Sequence, residues 1–175
     1  MFKIIALVIV MLAAAVLIYA TTKPDTFRVQ RSTSIKASPE KIFPMINDFH
    51  GWVNWSPWEK MDSTLKRTYS GSAQGQGAVY EWDGNNTVGT GRMEIVETAP
   101  PSKVLIKLDF IKPFEGHNIA KFTLEGAGDS TNVTWAMYGT TPYLAKVVHI
   151  FFSMDSMVGP QFENGLANIK AITEK

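Results

Sequence analysis

The amino-acid sequence predicts an α+β fold, in which a curved antiparallel sheet of about six to seven strands wraps around one long C-terminal helix and follows an N-terminal membrane-spanning helix. Three observations support this prediction. The chain begins with an apolar run, continues through segments of alternating apolar and polar residues, and ends in an apolar stripe at helical spacing. The strands and the final helix each have one apolar side, so the sheet must close around the helix to bury both.

Bulk composition excludes several classes of function. The 175 residues are 45% hydrophobic and 19% charged, with a net charge of +1, which is typical of one globular domain with an appendage. This near-neutral charge provides no basic field, so we expect no nucleic-acid partner. The absence of cysteine excludes thiol catalysis, disulfides and thiolate metal sites. Because His50, His117 and His149 are far apart in sequence, we expect no metal site. We also expect no cofactor.

The run from Ile4 to Ala20 is apolar except for one tyrosine hydroxyl and has about the minimum length that spans a bilayer. It could be a signal peptide cleaved after Ala20, but it is longer than the usual apolar region of such peptides, and Ile18 is a poor residue at the minus-three position. We therefore expect an uncleaved anchor at 1–20 that enters the membrane through residues 4–20, a linker at 21–26 and a folded domain at 27–175. Basic residues flank both ends of the anchor, so the side of the membrane stays open.

The folded part is expected to begin with a strand in FRVQRSTSIK, where apolar and polar residues alternate. Ser38 as N-cap and Pro39 at the first helical position then predict a short helix in SPEKIFPMIND. Further strands are expected to be antiparallel to their neighbours because short turns separate them. These strands are predicted in LKRTYS, AVYEWDG, VGTGRMEIVE, KVLIKLDF, NIAKFTLE and TNVTWAMY.

The pattern becomes helical after Gly139. Leu144, Val147, Phe151, Met154 and Val158 lie along one stripe, which continues beyond Gly159 and Pro160. We expect a long C-terminal helix that is kinked or broken at Pro160, because proline cannot donate the backbone hydrogen bond of a helix interior.

The stretch DFHGWVNWSPWEK places Trp52, Trp55 and Trp58 at an interval of three. Residues at this interval align only on a tight 3₁₀ turn, and Gly51 and Pro57 also favour a series of turns over an α-helix. The tryptophans could form a lid that offers apolar area and N–H donors to a ligand, or a plug that fills the open end of the sheet. We assign Trp52 to the plug, and Trp55 and Trp58 to the mouth.

Residues expected to face the helix from the inner face of the sheet are large, apolar and partly aromatic. They could line an adaptable pocket for a hydrophobic ligand, or they could form a filled core. With the two mouth tryptophans and two residues of the C-terminal stripe, the predicted ligand-cavity set is Trp55, Trp58, Tyr80, Trp82, Met93, Ile106, Leu108, Phe110, Phe122, Trp135, Met137, Phe151 and Met154.

Polar candidates for chemistry are few. His117 lies in EGHN beside Glu115, and a buried histidine next to a carboxylate could act as a general acid or base. His117 is therefore the single, weak candidate for a catalytic residue. Arg92 and Glu94 alternate with apolar residues, so we expect them to form a salt bridge on the solvated outer face.

Seven short segments, in this order along the chain, resemble one family. They are SPEKIF at 38–43, WVNWSPWEK at 52–60, GAVYEWDG at 77–84, GRMEIVE at 91–97, FEGHN at 114–118, TWAMYG at 134–139 and MVGPQFENGLANIK at 157–170. Together they resemble the polyketide cyclase/dehydrase and lipid-transport family of the START-like, helix-grip superfamily. The resemblance covers about residues 27–175 and implies a sheet that grips the C-terminal helix around an apolar cavity. It implies no catalytic residue.

Three functions are compatible with these patterns. The first is a membrane-anchored domain without catalytic activity that binds a hydrophobic, lipid-like small molecule between the sheet and the helix. The second is a cyclase- or dehydratase-type enzyme acting on an aromatic or polyketide substrate, which requires a polar group such as His117 inside the cavity. The third is a protein-interaction module that uses an exposed tryptophan segment.

Overall fold

The computed structural model describes all 175 residues and contains one seven-stranded antiparallel sheet with the strand order β1-β7-β6-β5-β4-β3-β2. The strands are β1 Thr26–Ile35, β2 Lys66–Gly71, β3 Ala78–Asp83, β4 Thr90–Ala99, β5 Lys103–Lys112, β6 Gly116–Ala127 and β7 Ser130–Thr140. The helices are α1 Phe2–Thr21, α2 Pro39–Asn47, α3 Tyr143–His149 and α4 Met154–Thr173, with 3₁₀ helices at Phe49–Asn54 and Pro57–Lys60. The predicted α+β helix-grip architecture is confirmed, including every predicted strand.

The alternating patterns place one face of each strand in the core. In β3, for example, Ala78, Tyr80 and Trp82 are buried, whereas Glu81 and Asp83 are exposed. Helix α4 covers the inner face of the sheet through its apolar side, and together with α2 and the tryptophan segment they form one core of 27 buried residues. The sheet and the helix therefore bury each other's apolar faces, as the sequence predicts.

The break in the C-terminal helical region differs from the prediction. Pro160 lies inside α4, and the chain instead leaves helical geometry between α3 and α4, at residues 150–153. Ser153 begins the new helix, because its side chain accepts a hydrogen bond from the backbone N–H of Ser156. Proline is tolerated at position 160 because the carbonyl deprived of its partner belongs to Ser156, an exposed residue that water can reach.

Helix α1 is almost wholly exposed; Ala20 is its single buried residue. By length and composition it is the one helix that could cross a membrane. It ends at Thr21, and only the four residues 22–25 separate it from the start of β1 at Thr26. Helix α1 and the folded domain are therefore joined by a very short connection.

The strand register brings several loops to the end of the sheet at which α1 enters. Thr26 at the start of β1 pairs with Thr140 at the end of β7, and the β5–β6 hairpin lies at the same end, because β6 runs antiparallel to β7. We call this the anchor end; it also carries the β3–β4 connection and α3. The C-terminus of α4 lies at the opposite end, where Lys170 bonds the backbone of Ser34. We call that the far end.

Candidate functional site

Aromatic rings fill the space between the sheet and α4. Trp135 on β7 stacks on Phe162 of α4, with centroids 4.1 Å apart, and on Phe122 of β6, at 4.8 Å. The three tryptophans of the 3₁₀ region, Trp52, Trp55 and Trp58, contact the same indole edge-on at 5.5 to 6.3 Å. We call these six residues the aromatic cluster. Trp135 is its centre, because all five other rings contact it.

The two inner tryptophans of the 3₁₀ region are fixed by backbone acceptors. The indole N–H of Trp52 donates to the carbonyl of Ile46 at 3.0 Å, and that of Trp55 donates to the carbonyl of Met45 at 2.9 Å. Trp55 is fully buried, so its predicted position at the mouth is wrong: its ring is part of the plug. The 3₁₀ geometry predicted for the segment is confirmed, and its close three-residue spacing is what delivers both rings to the interior.

The indole N–H of Trp135 is buried without any hydrogen-bond acceptor. By contrast, the N–H of Trp82 donates to the carbonyl of Val88, as those of Trp52 and Trp55 donate to α2. A buried donor without a partner costs on the order of 1–3 kcal/mol. The donor at the centre of the aromatic cluster is therefore available to an acceptor that the chain itself does not provide.

Helix α4 approaches Trp135 closely because it carries a glycine at the crossing point. A Cβ at Gly165 would lie 2.8 Å from Cζ3 of Trp135 and 3.3 Å from Cδ of Pro57. No side chain larger than hydrogen fits there without displacing the indole or the 3₁₀ segment. Gly165 thus allows the helix, the sheet and the tryptophan segment to meet around one ring.

The interior is covered at the anchor end by side chains that are only partly buried. Trp58 contacts Trp135 and Phe162, and Met154 and Val158 of α4 pack on the same core. Phe110 is also partly buried and contacts Trp82 edge-on. Apart from Phe110 on β5, the residues of this cover lie on the short second 3₁₀ helix and at the start of α4.

A buried polar network holds the 3₁₀ helix that carries Trp58. The Glu59 side chain is 5% exposed; it accepts a 2.6 Å hydrogen bond from the Tyr80 hydroxyl and another, also 2.6 Å, from Arg67 Nε. Burial raises the pKa of Tyr80, and the adjacent Glu59 carboxylate raises it further, so the phenol remains protonated and donates. This network fixes Trp58 to the outer strands of the sheet.

Most of the predicted ligand-cavity residues converge on the interior. Trp55, Tyr80, Trp82, Met93, Ile106, Leu108, Phe122, Trp135 and Met137 are buried, and Trp58, Phe110 and Met154 are partly buried. They pack against one another and fill the space. Phe151 is the exception: it is 65% exposed, because the chain leaves helical geometry there and the predicted stripe is interrupted.

His117 lies on the outer face of the sheet, with 66% of its side chain exposed. Its Nδ1 lies 2.7 Å from Asp109 Oδ1, and its Nε2 lies 3.3 Å from Glu115 Oε1. The hydrogen bond with Asp109 raises the pKa of His117. The interpretation of His117 as an interior acid or base is therefore wrong, because β6 turns this side chain outward and Asn118 inward.

Two concave regions lie on the surface outside the space between the sheet and α4. The larger, about 730 Å³, is an open groove on the outer face, where Arg28, Tyr138, Ile119 and Lys107 share one row across four strands. The smaller, about 150 Å³, borders Tyr69 at the β2 edge. The interior itself is occupied by buried, mutually packed side chains, so binding there would require the cover at the anchor end to open.

Two predictions about exposed polar and aromatic groups can be judged directly. Arg92 and Glu94 form the predicted salt bridge, with Nη1 and Oε2 2.9 Å apart. The protein-interaction hypothesis for the tryptophan segment is not supported, because Trp52 and Trp55 are buried.

Sequence reasoning missed Arg67 and Glu59. The only local signal for this pair is that the Glu59 carboxylate follows a cluster of aromatic residues.

A seven-stranded antiparallel sheet that wraps around a C-terminal helix and encloses an aromatic interior defines the helix-grip class of START-like domains. The chain belongs to the family described as polyketide cyclase/dehydrase and lipid transport, whose model matches residues 26–174. No curated protein matches the sequence.

Several solved structures share this fold. Major latex-like protein 151 from Panax ginseng has a TM-score of 0.63 at 14% identity, over 87% of this chain and 100% of that chain. The di-domain ARO/CYC BexL from the BE-7585A biosynthetic pathway has a TM-score of 0.64 at 15% identity, over 90% of this chain and 53% of that one. Aha1 from Colwellia psychrerythraea has a TM-score of 0.60 at 17% identity, over 85% and 96%. At these identities the likeness is one of fold.

Proposed function

We propose that this protein is a membrane-anchored binding domain for a hydrophobic, lipid-like small molecule that carries a hydrogen-bond acceptor. The apolar part of the molecule would occupy the volume that Trp58 and the start of α4 vacate when they move, and its acceptor would accept a hydrogen bond from the indole N–H of Trp135. No chemical step is assigned to the site.

The unpartnered donor of Trp135 is the observation that carries this proposal. The N–H lies within five aromatic rings and has no acceptor, whereas the indole N–H groups of Trp52, Trp55 and Trp82 each donate to a backbone carbonyl. An acceptor on a ligand would remove the cost of the unpaired group, whereas a pure hydrocarbon would not. The site therefore favours apolar molecules with a carbonyl, carboxyl or ether oxygen.

Entry of the ligand requires movement of the cover, not of the whole core. Trp58 is only partly buried and sits on a single short 3₁₀ turn. The first half of α4 lacks one backbone hydrogen bond at Pro160. Displacement of Trp58 and of this half of α4 would expose Trp135 from the anchor end, while Trp52 and Trp55 stay bound to α2.

Anchoring supports the same function. Helix α1 has the length and composition of a membrane span and joins the domain at the end where the cover lies. A poorly water-soluble ligand is concentrated in the bilayer, so a tethered domain meets it at high local concentration.

The test uses the full chain in phosphatidylcholine nanodiscs and two probes of equal chain length. A dibrominated C18 fatty acid carries an acceptor and a dibrominated octadecane does not; bromine quenches tryptophan fluorescence on contact. We expect saturable quenching and tighter binding of the acid. In Trp135→Phe, which keeps a stacked ring but removes the donor, affinity for the acid should fall roughly 5- to 10-fold, the value of about one hydrogen bond.

Affinity for the hydrocarbon should not change in that variant. Trp52→Phe is the matched control: it also removes one indole, but the lost N–H is bonded to Ile46, so the preference for the acid should remain. Absence of saturable quenching by both probes, or an equal loss of affinity for both in Trp135→Phe, would contradict the proposal.

A further inference from the structure

Exposed apolar side chains are concentrated at the anchor end. After α1, eleven large hydrophobic residues are exposed, and eight of these lie in the β5–β6 hairpin or between residues 143 and 157. Phe114 at the tip of the hairpin is 82% exposed, and Leu144 on α3 is 74% exposed. Phe151 and Phe152, between α3 and α4, are exposed to a similar extent. Such a concentration at one end of a domain marks an interaction surface.

This surface is tied to the last turns of the membrane helix. The Tyr143 hydroxyl donates a 2.9 Å hydrogen bond to the carbonyl of Leu17 in α1. Lys146 bonds Asp25 in the connection after α1, and the backbone N–H of Thr141 donates to the carbonyl of the same aspartate at 2.7 Å. Helix α3 is therefore held against the point at which α1 leaves the membrane.

The depth of these contacts agrees with an interfacial position. Leu17 lies four residues before the end of α1, which corresponds to about 6 Å along the helix axis. An interfacial helix buries its apolar face about 5–10 Å into the boundary between headgroups and acyl chains, and tyrosine is enriched at that level. The 25 residues between Asp129 and Asp155 contain no carboxylate, so this segment has no acidic group to desolvate. Glu115, beside Phe114, is exposed and can stay in water.

We propose that the anchor end docks on the bilayer that α1 spans, with Phe114 of the β5–β6 hairpin and Leu144, Phe151 and Phe152 of the α3 region inserted into the interface. The cover formed by Trp58 and the start of α4 then faces the membrane, so a ligand passes between acyl chains and the domain without crossing water. This inference rests on the anchoring in the proposed function, but not on the role of Trp135.

The chain has no cysteine, so single cysteines can be labelled with a nitroxide without background. The full chain in phosphatidylcholine vesicles would carry the label at Phe114→Cys, Leu144→Cys or Phe152→Cys. Ile172→Cys is the matched control, because this residue is exposed and apolar but lies near the end of α4, at the far end. Val10→Cys, in the middle of α1, reports the anchor.

Collisions with oxygen, which dissolves in acyl chains, are compared with collisions with a water-soluble nickel chelate. We expect the ratio of oxygen to nickel accessibility at 114, 144 and 152 to be several-fold higher than at 172, and to approach that at position 10. Labels at 114, 144 and 152 that behave like the one at 172 would overturn the docking. So would labels shielded from both reagents, which would indicate a protein partner or a second copy. A label at position 10 that is also in water would show that α1 does not span the bilayer, and the anchoring proposal would be wrong. Fatty-acid quenching tests the Trp135 site independently of this result.

Discussion

The indole of Trp135 and the ring of Phe162 lie face to face across the boundary between the sheet and α4, with centroids 4.1 Å apart and planes 7° from parallel. This contact joins the two layers of the domain at Trp135, whose indole N–H is the only one that is buried without an acceptor. Stability and the proposed binding therefore depend on the same ring, and the two can be separated by substitutions around it.

Gly165→Ala should destabilise the domain, because the new Cβ would lie 2.8 Å from Trp135 and the stacked ring cannot move freely. We expect a loss of about 1–3 kcal/mol, the usual cost of overpacking. Urea denaturation in a non-ionic detergent, followed by tryptophan fluorescence, measures this. Gly126→Ala is the control, since its Cβ would meet Pro39 at an ordinary 3.7 Å and should change stability by less than about 0.5 kcal/mol. Equal effects of both substitutions would argue against a tight crossing at Gly165.

Glu59→Gln should weaken the attachment of the 3₁₀ helix that carries Trp58. The carboxylate is nearly fully buried and serves both Tyr80 and Arg67, and hydrogen bonds to charged groups contribute about 1.5–3 kcal/mol. We expect a stability loss in that range and greater quenching of tryptophan by acrylamide. Glu97→Gln removes a carboxylate that is about half exposed and bonded to Lys103, so it should cost less than about 1 kcal/mol. A Glu59 variant as stable as the Glu97 variant would refute the buried network.

Loosening the first half of α4 should speed ligand uptake if the cover opens there. Arg31 holds this half by hydrogen bonds to Asp155 and Glu163, which lie on either side of Gly159. Both carboxylates are more than half exposed, so the double variant Asp155→Asn, Glu163→Gln should lose little stability. Stopped-flow quenching by the brominated fatty acid should be several-fold faster than in the wild type. Glu97→Gln again serves as the control, and an unchanged rate in the double variant would show that entry does not involve α4.

His117 and His149 should titrate on opposite sides of the ordinary histidine pKa, which is about 6.5. The hydrogen bond to Asp109 raises the pKa of His117, and burial lowers the pKa of His149. Because the folded pKa of His117 is raised, its contribution to stability is complete below pH 6.5 and disappears as the pH rises through the folded pKa. NMR titration of the histidine ring protons measures both groups. Asp109→Asn should return the pKa of His117 toward 6.5 and leave that of His149 unchanged; a His117 pKa that does not move would contradict the assigned cause.

Local patterns were sufficient for most of the architecture. Alternation in the seven strands and a helical stripe after Gly139 predicted the sheet and the region of the final helix, because period and burial are properties of adjacent residues. The residues at which a helix begins and ends depend on competing signals from neighbouring residues. Here the N-cap at Ser153 starts α4, and Pro160 is tolerated inside it. Phe151 was misplaced for the same reason.

By itself, the sequence determined the fold class, the apolar N-terminal helix, the inward faces of the strands and the 3₁₀ geometry of the tryptophan segment. Tertiary structure alone decided that Trp55 fills the interior, that His117 faces water, and that the indole of Trp135 has no acceptor. The physical reason is distance along the chain: Trp135, Phe162 and Trp58 are brought together by strand register and by the close approach of α4 at Gly165, and neither is encoded in a local pattern. Strand alternation specifies which side chains point inward, whereas the separation of sheet and helix decides whether they line a cavity or fill it.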